Sequence, residues 1–402
     1  MSFDYSELFA SEDGTTGTWR ELYCDSSPLA WNLLNILKCT VLLPHDFYDL
    51  IAAYFLLPSA LCTTIPYLFL CGQSGSGKST VAKVASYLHG CSINSSSDTF
   101  AGIRNDLSKR REAWAEVEYE DGDAPGRTKT YAKAVEANIC MVWDDVDPGV
   151  FSNSPDLYRL FKFGSNKATD KITLSSKEIG QNLDFHCFCP KVFSSISPLH
   201  LDDRFKELKR RLIVIPCSRV EELSDARKAE LSITDDDWQS KILDLDAYDW
   251  KGFGAIYKEY WDLDRAKEFV LTRRELSHSA KGLTSLQRAI SLDLLACGIA
   301  SGVWENSEVA LERVKVYWTW FKQQTEKGSD LGSLLKGFVD TEARNAKNGG
   351  RPLEIYTAQL RTQVKAWVDQ GWLYEQPPSR LVKEAMLDLG LRNYQGRWIK
   401  EQ

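Results

Sequence analysis

The chain lacks any hydrophobic run long enough to cross a bilayer. Its most apolar stretch, Leu56 to Cys71, is broken by Pro58 and Pro66, whereas a spanning helix needs about 20 apolar residues. It also lacks a secretory block, because Met1-Ser2-Phe3-Asp4-Tyr5-Ser6-Glu7 is acidic and has no apolar centre. The expectation is a cytoplasmic protein with no membrane partner. Ten cysteines are present, yet no CxxC pair occurs, and Cys187-Phe188-Cys189 has the wrong spacing for a zinc knuckle. Cys71 and Cys140 lie in apolar runs and read as buried hydrophobes. Reduced thiols and no structural metal are expected. Excess positive charge is absent too: the net charge of −7 excludes the chain as a whole from acting as an electrostatic nucleic-acid binder, although a local basic patch is enough for that role. There is no internal repeat, no low-complexity tract and no primase or nuclease motif.

What stands out is Gly72-Gln73-Ser74-Gly75-Ser76-Gly77-Lys78-Ser79-Thr80, a match to G-x-x-x-x-G-K-[ST]. Tyr67-Leu68-Phe69-Leu70-Cys71 before it suits a buried strand, and Val81 to Leu88 after it suits a helix. Strand, glycine loop and helix aim backbone N–H groups and a helix dipole at phosphate oxygens. The glycines let the backbone close around an anion. Lys78 is expected to reach the β- and γ-phosphates of ATP, and the Ser79 hydroxyl to face Mg²⁺.

At 402 residues the chain is too long for one small core. Residues 1–60 carry apolar residues at helical spacing and read as a helical cap. Residues 61–217 alternate short β-like runs with helical stretches, as a parallel α/β sheet flanked by helices requires. Residues 218–305 are charged and helix-forming, a helical lid. Residues 306–402 form a C-terminal domain, interrupted by a turn at Asn345 to Pro352.

Asn138-Ile139-Cys140-Met141-Val142-Trp143-Asp144-Asp145 ends an apolar run in two acids. That places both carboxylates at the C-terminal edge of a buried strand, where ligands bind in such sheets. Asp144 is expected to hold Mg²⁺ through water, and Asp145 to orient or deprotonate the attacking water. Pro190 to Pro198 reads as a further strand whose polar end offers Ser195 or Ser194 to the γ-phosphate or the lytic water. A basic cluster, Arg204 with Lys209-Arg210-Arg211, precedes the buried run Leu212-Ile213-Val214-Ile215-Pro216. It suggests an arginine finger for a neighbouring subunit's γ-phosphate, with Arg211 or Arg210 best placed and Arg204 the competitor.

Residues 170–188 hold two alternating runs joined by a polar segment containing Gly180, which reads as a β-hairpin. Lys171 and Lys177 in it, with Lys162 and Lys167 upstream, are candidates for sequence-independent phosphate contacts to nucleic acid. Near the C-terminus, Tyr356 to Gln370 and Ser379 to Leu389 read as helices, Gly371 to Tyr374 as a short strand, and Asn393 to Ile399 as a small hairpin turning at Gln395-Gly396. Helix, helix and wing suit a winged-helix module.

Taken in order, the phosphate loop, the Asp-Asp strand, the polar strand end and the arginines before a final strand resemble the AAA+ class of oligomeric ATPases across residues 60–300. Within that class the chain looks most like the superfamily-3-like or primase-associated helicase ATPases of phages, plasmids and other mobile elements. Asp98 to Leu107 is similar to the helix after the second strand, and Phe188 to Ser195 to the sensor strand. Thr284-Ser285-Leu286-Gln287-Arg288-Ala289-Ile290 is similar to the start of the lid helix. The resemblance implies that Arg288 touches the γ-phosphate in cis and that the hairpin at 170–188 points into a ring's channel. It implies a homo-oligomer, with a hexamer expected, that moves on single-stranded or forked DNA beside a primase or initiator. A loader or switch that remodels a DNA-bound partner without unwinding is the alternative. A regulatory or defence scaffold and a monomeric phosphotransferase using the same loop are further rivals.

Overall fold

In a computed structural model, the described residues are 17–95, 97–111, 114–120, 128–134, 140–175, 182–201, 205–328, 331–369, 377 and 379–400. They group into two compact units. The first comprises Met1–Ile196 and Arg210–Tyr317, the second Ser197–Lys209 and Trp318–Gln402.

The first unit is mixed α/β. Its five-stranded sheet contains β1 (Tyr67–Cys71), β2 (Ile93–Asn94), β3 (Met141–Trp143), β4 (Lys191–Ser195) and β5 (Leu212–Pro216) in the order β5-β1-β4-β3-β2. Every neighbouring pair is parallel. Parallel strands covered by helices on both faces read as continuous apolar runs, and Leu68, Phe69, Val142, Val192, Phe193 and Ile213 are buried accordingly. Phe69 pairs with Phe193, and Phe193 with Trp143, across three adjacent strands. The Phe69 and Phe193 rings lie 5.0 Å apart. This register ends β1, β3, β4 and β5 at one common edge.

Helices Leu29–Thr40 and Tyr48–Phe55 belong to the same unit, so the residues read as a cap pack into the sheet's own core. Tyr54 Oη accepts the Lys191 N–H at 2.9 Å and donates to the Pro66 carbonyl at 2.9 Å, fixing the N-terminal ends of β1 and β4. Helix Ser285–Ala300 starts with a reciprocal cap in which Thr284 Oγ1 accepts from the Gln287 N–H and Gln287 Oε1 from the Thr284 N–H. Its buried Asp293 accepts the Thr63 and Thr64 N–H groups at 2.9 Å each and ion-pairs with Arg273. That helix is therefore anchored just before β1.

The expected hairpin is present as Lys171–Ser175 paired antiparallel with Asn182–His186. Lys191 holds its root. This lysine is buried, and its ammonium donates to the carbonyls of Cys187 at 2.7 Å and of Gly164 and Cys189 at 3.3 Å each. The ring of Tyr67 lies 4.8 Å from the same ammonium. A second antiparallel pair, Trp114–Glu120 with Thr128–Ala134, has no counterpart among the expected elements.

The second unit contains helices Leu331–Asn348, Thr357–Asp369 and Ser379–Asp388 and an antiparallel sheet of Glu354–Tyr356, Arg397–Lys400 and Leu391–Tyr394 in that spatial order. Gln395 and Gly396 have φ of 49° and 83°, as a two-residue hairpin turn of matching twist requires. Leu335, Ile355, Leu360, Trp367, Met386 and Trp398 form its core. The strand expected at Gly371 to Tyr374 lies outside the described residues. All ten cysteines are free thiols; Cys140 is buried and Cys71 partly so. Among the described residues no helix is long and apolar enough to cross a membrane.

Removing one partner of a buried ion pair leaves the other charge uncompensated. Asp293→Ala is expected to cost about 2–4 kcal/mol in urea unfolding, since it also strips two backbone N–H groups of their acceptor. An unchanged midpoint would contradict the anchoring role.

Candidate functional site

The loop between β1 and helix Lys78–His89 is shaped by its glycines. Gly75 and Gly77 have φ of 81° and 83°, a region that costs other L-residues about 1–2 kcal/mol. At Gly72 a Cβ would fall 2.1 Å from the Cys217 carbonyl oxygen. No side chain fits there, because the Cys217 N–H also bonds the Cys71 carbonyl at 2.7 Å. Lys78 opens the helix and is largely buried. Its ammonium donates to the Gly72 and Gln73 carbonyls at 2.8 Å each and so lies across the loop. Ser76 is buried, and its hydroxyl has no hydrogen-bond partner among the described residues. An orphaned donor, a buried ammonium and the N–H groups of a first helical turn all suit an anion of several oxygens.

The acids leave β3 at the same edge. The Asp144 N–H donates to the Asn94 carbonyl at 3.2 Å, and Asp144 Oδ1 accepts from the Ser194 hydroxyl at 2.5 Å. The Asp145 N–H donates back to Ser194 Oγ at 2.8 Å. One hydroxyl thus fixes both acids. Asp145 is exposed and has φ of 52°, left-handed backbone of the kind that clusters at functional sites. Ser195 behaves differently. Successive strand residues face opposite sides, and its buried hydroxyl donates to the Val146 carbonyl at 2.6 Å. Of the two serines considered from the sequence, Ser194 enters the cleft, and Ser195 does not.

The cleft has a volume of about 380 Å³ and is lined on one side by Ser74 to Thr80 and on the other by Asp144, Asp145 and Ser194. That is within the usual range for a small-molecule site. Exposed Ser79 faces the same space. Ser79 and Asp144, which both line the cleft, bring a hydroxyl and a carboxylate, oxygen donors of the kind Mg²⁺ takes. Burial pushes the neighbouring Cys71 thiol up to about 12 and raises Cys217 as well. Both stay protonated, which removes them as nucleophiles.

A second hollow of about 170 Å³ lies on the other side of the loop and shares Gly75 to Gly77 and Ile242 with the first. Thr40 to Leu42, Ser218 to Glu221 and Trp238 complete it. The Ser218 N–H bonds the Leu42 carbonyl at 3.0 Å, which brings two of these segments together. Sequence reasoning missed this hollow because its walls come from three distant stretches with no local signal.

The remaining expected residues lie elsewhere. Arg211 immediately precedes β5, opposite the start of β1; its carbonyl accepts the Tyr67 N–H at 2.8 Å, and its Nε donates to Ser165 Oγ at 3.1 Å. It occupies the N-terminal edge of the sheet, while the cleft occupies the C-terminal edge. At about 3.3 Å per residue the strand separates them by more than an arginine side chain reaches. Exposed Arg210 adjoins Arg211 at that edge. Arg204 lies outside the described residues. Arg288 lines neither hollow, because Asp293 ties its helix to Thr63 and Thr64 at the N-terminal edge. A contact in cis with the γ-phosphate, implied by the resemblance, therefore finds no support in the geometry. Lys171 sits at the hairpin's root, ion-paired with Asp184 at 2.5 Å. Lys167 donates to the Ala60 carbonyl at 2.8 Å. Lys177 lies outside the described residues.

Because Asp145 has left-handed backbone, Asp145→Ala is expected to be about 1 kcal/mol less stable than Asp145→Gly in chemical denaturation. Equal stabilities would show that this backbone relaxes at no cost. A scan against protein-family models finds no match, and no curated protein matches the chain.

Proposed function

We propose that the chain hydrolyses ATP with Mg²⁺, as an AAA+ motor that assembles into a ring and acts on DNA during replication of a mobile element or phage. The observation that carries the ATPase part is the cleft itself. Asp144 and Asp145, fixed by Ser194, face Lys78 and Ser79 across a glycine loop at the carboxyl edge of a parallel sheet.

On this reading the loop amides cradle the α- and β-phosphates, Lys78 reaches the β- and γ-phosphates, and the buried Ser76 hydroxyl gains an acceptor. Ser79 and Asp144 would hold Mg²⁺, which would supply positive charge to the phosphate oxygens. Asp145 orients the attacking water and accepts its proton; its free carboxylate faces the cleft, and Ser194 holds its backbone. The second hollow, about 170 Å³ on the other side of the same loop, is read as the place of the base. Arg211 cannot reach the cleft of its own chain, so on this reading it serves the γ-phosphate of a neighbouring copy in the ring. The C-terminal unit, with its helices and hairpin, is read as a winged-helix-like module that docks DNA or a partner.

The loader or switch alternative draws support from one observation. Lys171, the only candidate pore lysine among the described residues of the hairpin, is ion-paired with Asp184. Unwinding of a forked DNA substrate separates the two readings.

Lys78→Ala is expected to abolish nucleotide binding, and Asp145→Asn to bind ATP without turning it over. Arg211→Ala should bind ATP normally while hydrolysis falls by about 10³-fold, the scale of a missing arginine finger. Mixing Arg211→Ala with Lys78→Ala should partly restore turnover, since a mixed interface unites an intact cleft with an intact arginine. No restoration at any mixing ratio would remove Arg211 from that role. On the loader or switch reading Lys171→Ala leaves DNA-stimulated hydrolysis unchanged; a selective loss would return Lys171 to the nucleic-acid path.

A further inference from the structure

The far side of the phosphate loop carries an arginine that the ATPase reading does not use. Arg219 follows β5 and stands at the wall shared by the loop and the second hollow. A Cβ placed on Gly75 would lie 3.9 Å from Arg219 Cδ, so the arginine stem passes directly over the loop's central glycine. Its backbone position is fixed. The Cys217 N–H is tied to Cys71, the Ser218 N–H to Leu42, and the Arg219 N–H to Glu222 Oε2 at 3.0 Å.

The guanidinium is held by two carboxylates. Nε and Nη2 donate to Glu222 Oε1 at 3.1 and 2.9 Å, and Nε lies 3.3 Å from Glu221 Oε1. Side-chain exposures are 43% for Arg219, 55% for Glu221 and 30% for Glu222. Ion pairs this exposed are weak. A polyphosphate offers the same planar fork more negative charge and several acceptor oxygens. The loop amides beside Gly75 are those that cradle the α- and β-phosphates in this kind of loop.

We infer that Arg219 is a phosphate-binding residue of the nucleotide site, parked on Glu221 and Glu222 and transferred to the α- and β-phosphates when nucleotide binds. This rests on the ATPase reading above. It adds a residue in cis on the base side of the loop, distinct from the arginine expected from a neighbour at the γ-phosphate. Because the contact is to the α- and β-phosphates, ADP and ATP depend on it equally, and adenosine does not depend on it.

The test is the affinity of the full chain and of Arg219→Ala for ATP and ADP by calorimetry, and for adenosine by ligand-observed NMR. Losing a charge-assisted bond is expected to weaken ATP and ADP by about tenfold each and to leave adenosine unchanged. Unchanged ADP binding, or equal weakening of all three ligands, overturns the inference. If Arg219→Ala fails to fold, Arg219→Gln keeps the length and removes the charge, with the same outcomes deciding. Lys78→Ala is the control. If ATP binds but does not depend on Lys78, or does not bind at all, the ATPase reading itself fails; if Lys78-dependent binding persists and Arg219→Ala is silent, only the role of Arg219 falls.

Discussion

The register of the parallel sheet is the constraint on which everything else in the first unit depends. Phe69, Phe193 and Trp143 lie in one row across β1, β4 and β3, and burying them fixes where each strand stops. A slip of one residue would turn every side chain to the opposite face. Because the row holds, the glycine loop after Cys71, the acids after Trp143 and the chain after Pro216 leave the sheet together. The cleft follows from hydrophobic packing well below it. The same packing sets Lys191 at the start of β4, where a ring of carbonyls around its ammonium roots the hairpin.

At the edge itself, polar geometry takes over. A single hydroxyl, Ser194 Oγ, gives its proton to Asp144 and accepts the Asp145 N–H. This holds Asp145 in left-handed backbone with its carboxylate exposed. Strain of this sort persists only where surrounding structure imposes it. On the opposite side of the cleft, the buried Lys78 ammonium rests on loop carbonyls, and the Ser76 hydroxyl has no partner. A site prepared for an anion leaves its donors in this condition.

Local order made much of this legible in the sequence. The glycine loop, the run ending in Asp144-Asp145, the hairpin at 171–186 and the C-terminal hairpin at Gln395-Gly396 each carry their signal within a few residues. What failed to show depends on contacts between distant segments. The parity of β4 decides between Ser194 and Ser195, and parity is set by pairing with β3, not by composition. Arg288 sits on a helix with a plain start signal, but Asp293 pins that helix to Thr63 and Thr64, at the end of the sheet away from the cleft. Nor does the sequence around Lys171 show its ion-pair partner, Asp184, which lies across the hairpin. The second hollow joins residues near 40, 219 and 238, and no window of sequence contains all three.

The two edges of the sheet assign two jobs. The carboxyl edge carries the cleft and the amino edge carries Arg211, which on the proposed reading serves the cleft of another copy of the chain. The proposal thus divides the chemistry between neighbouring subunits. The most direct test of that central claim is electron cryomicroscopy of the chain with Mg²⁺ and a slowly hydrolysed ATP analogue. The expected result is a closed ring in which each triphosphate lies along Gly72 to Thr80 and a neighbour's Arg211 approaches its γ-phosphate. Single particles only, or nucleotide bound away from that loop, would contradict it.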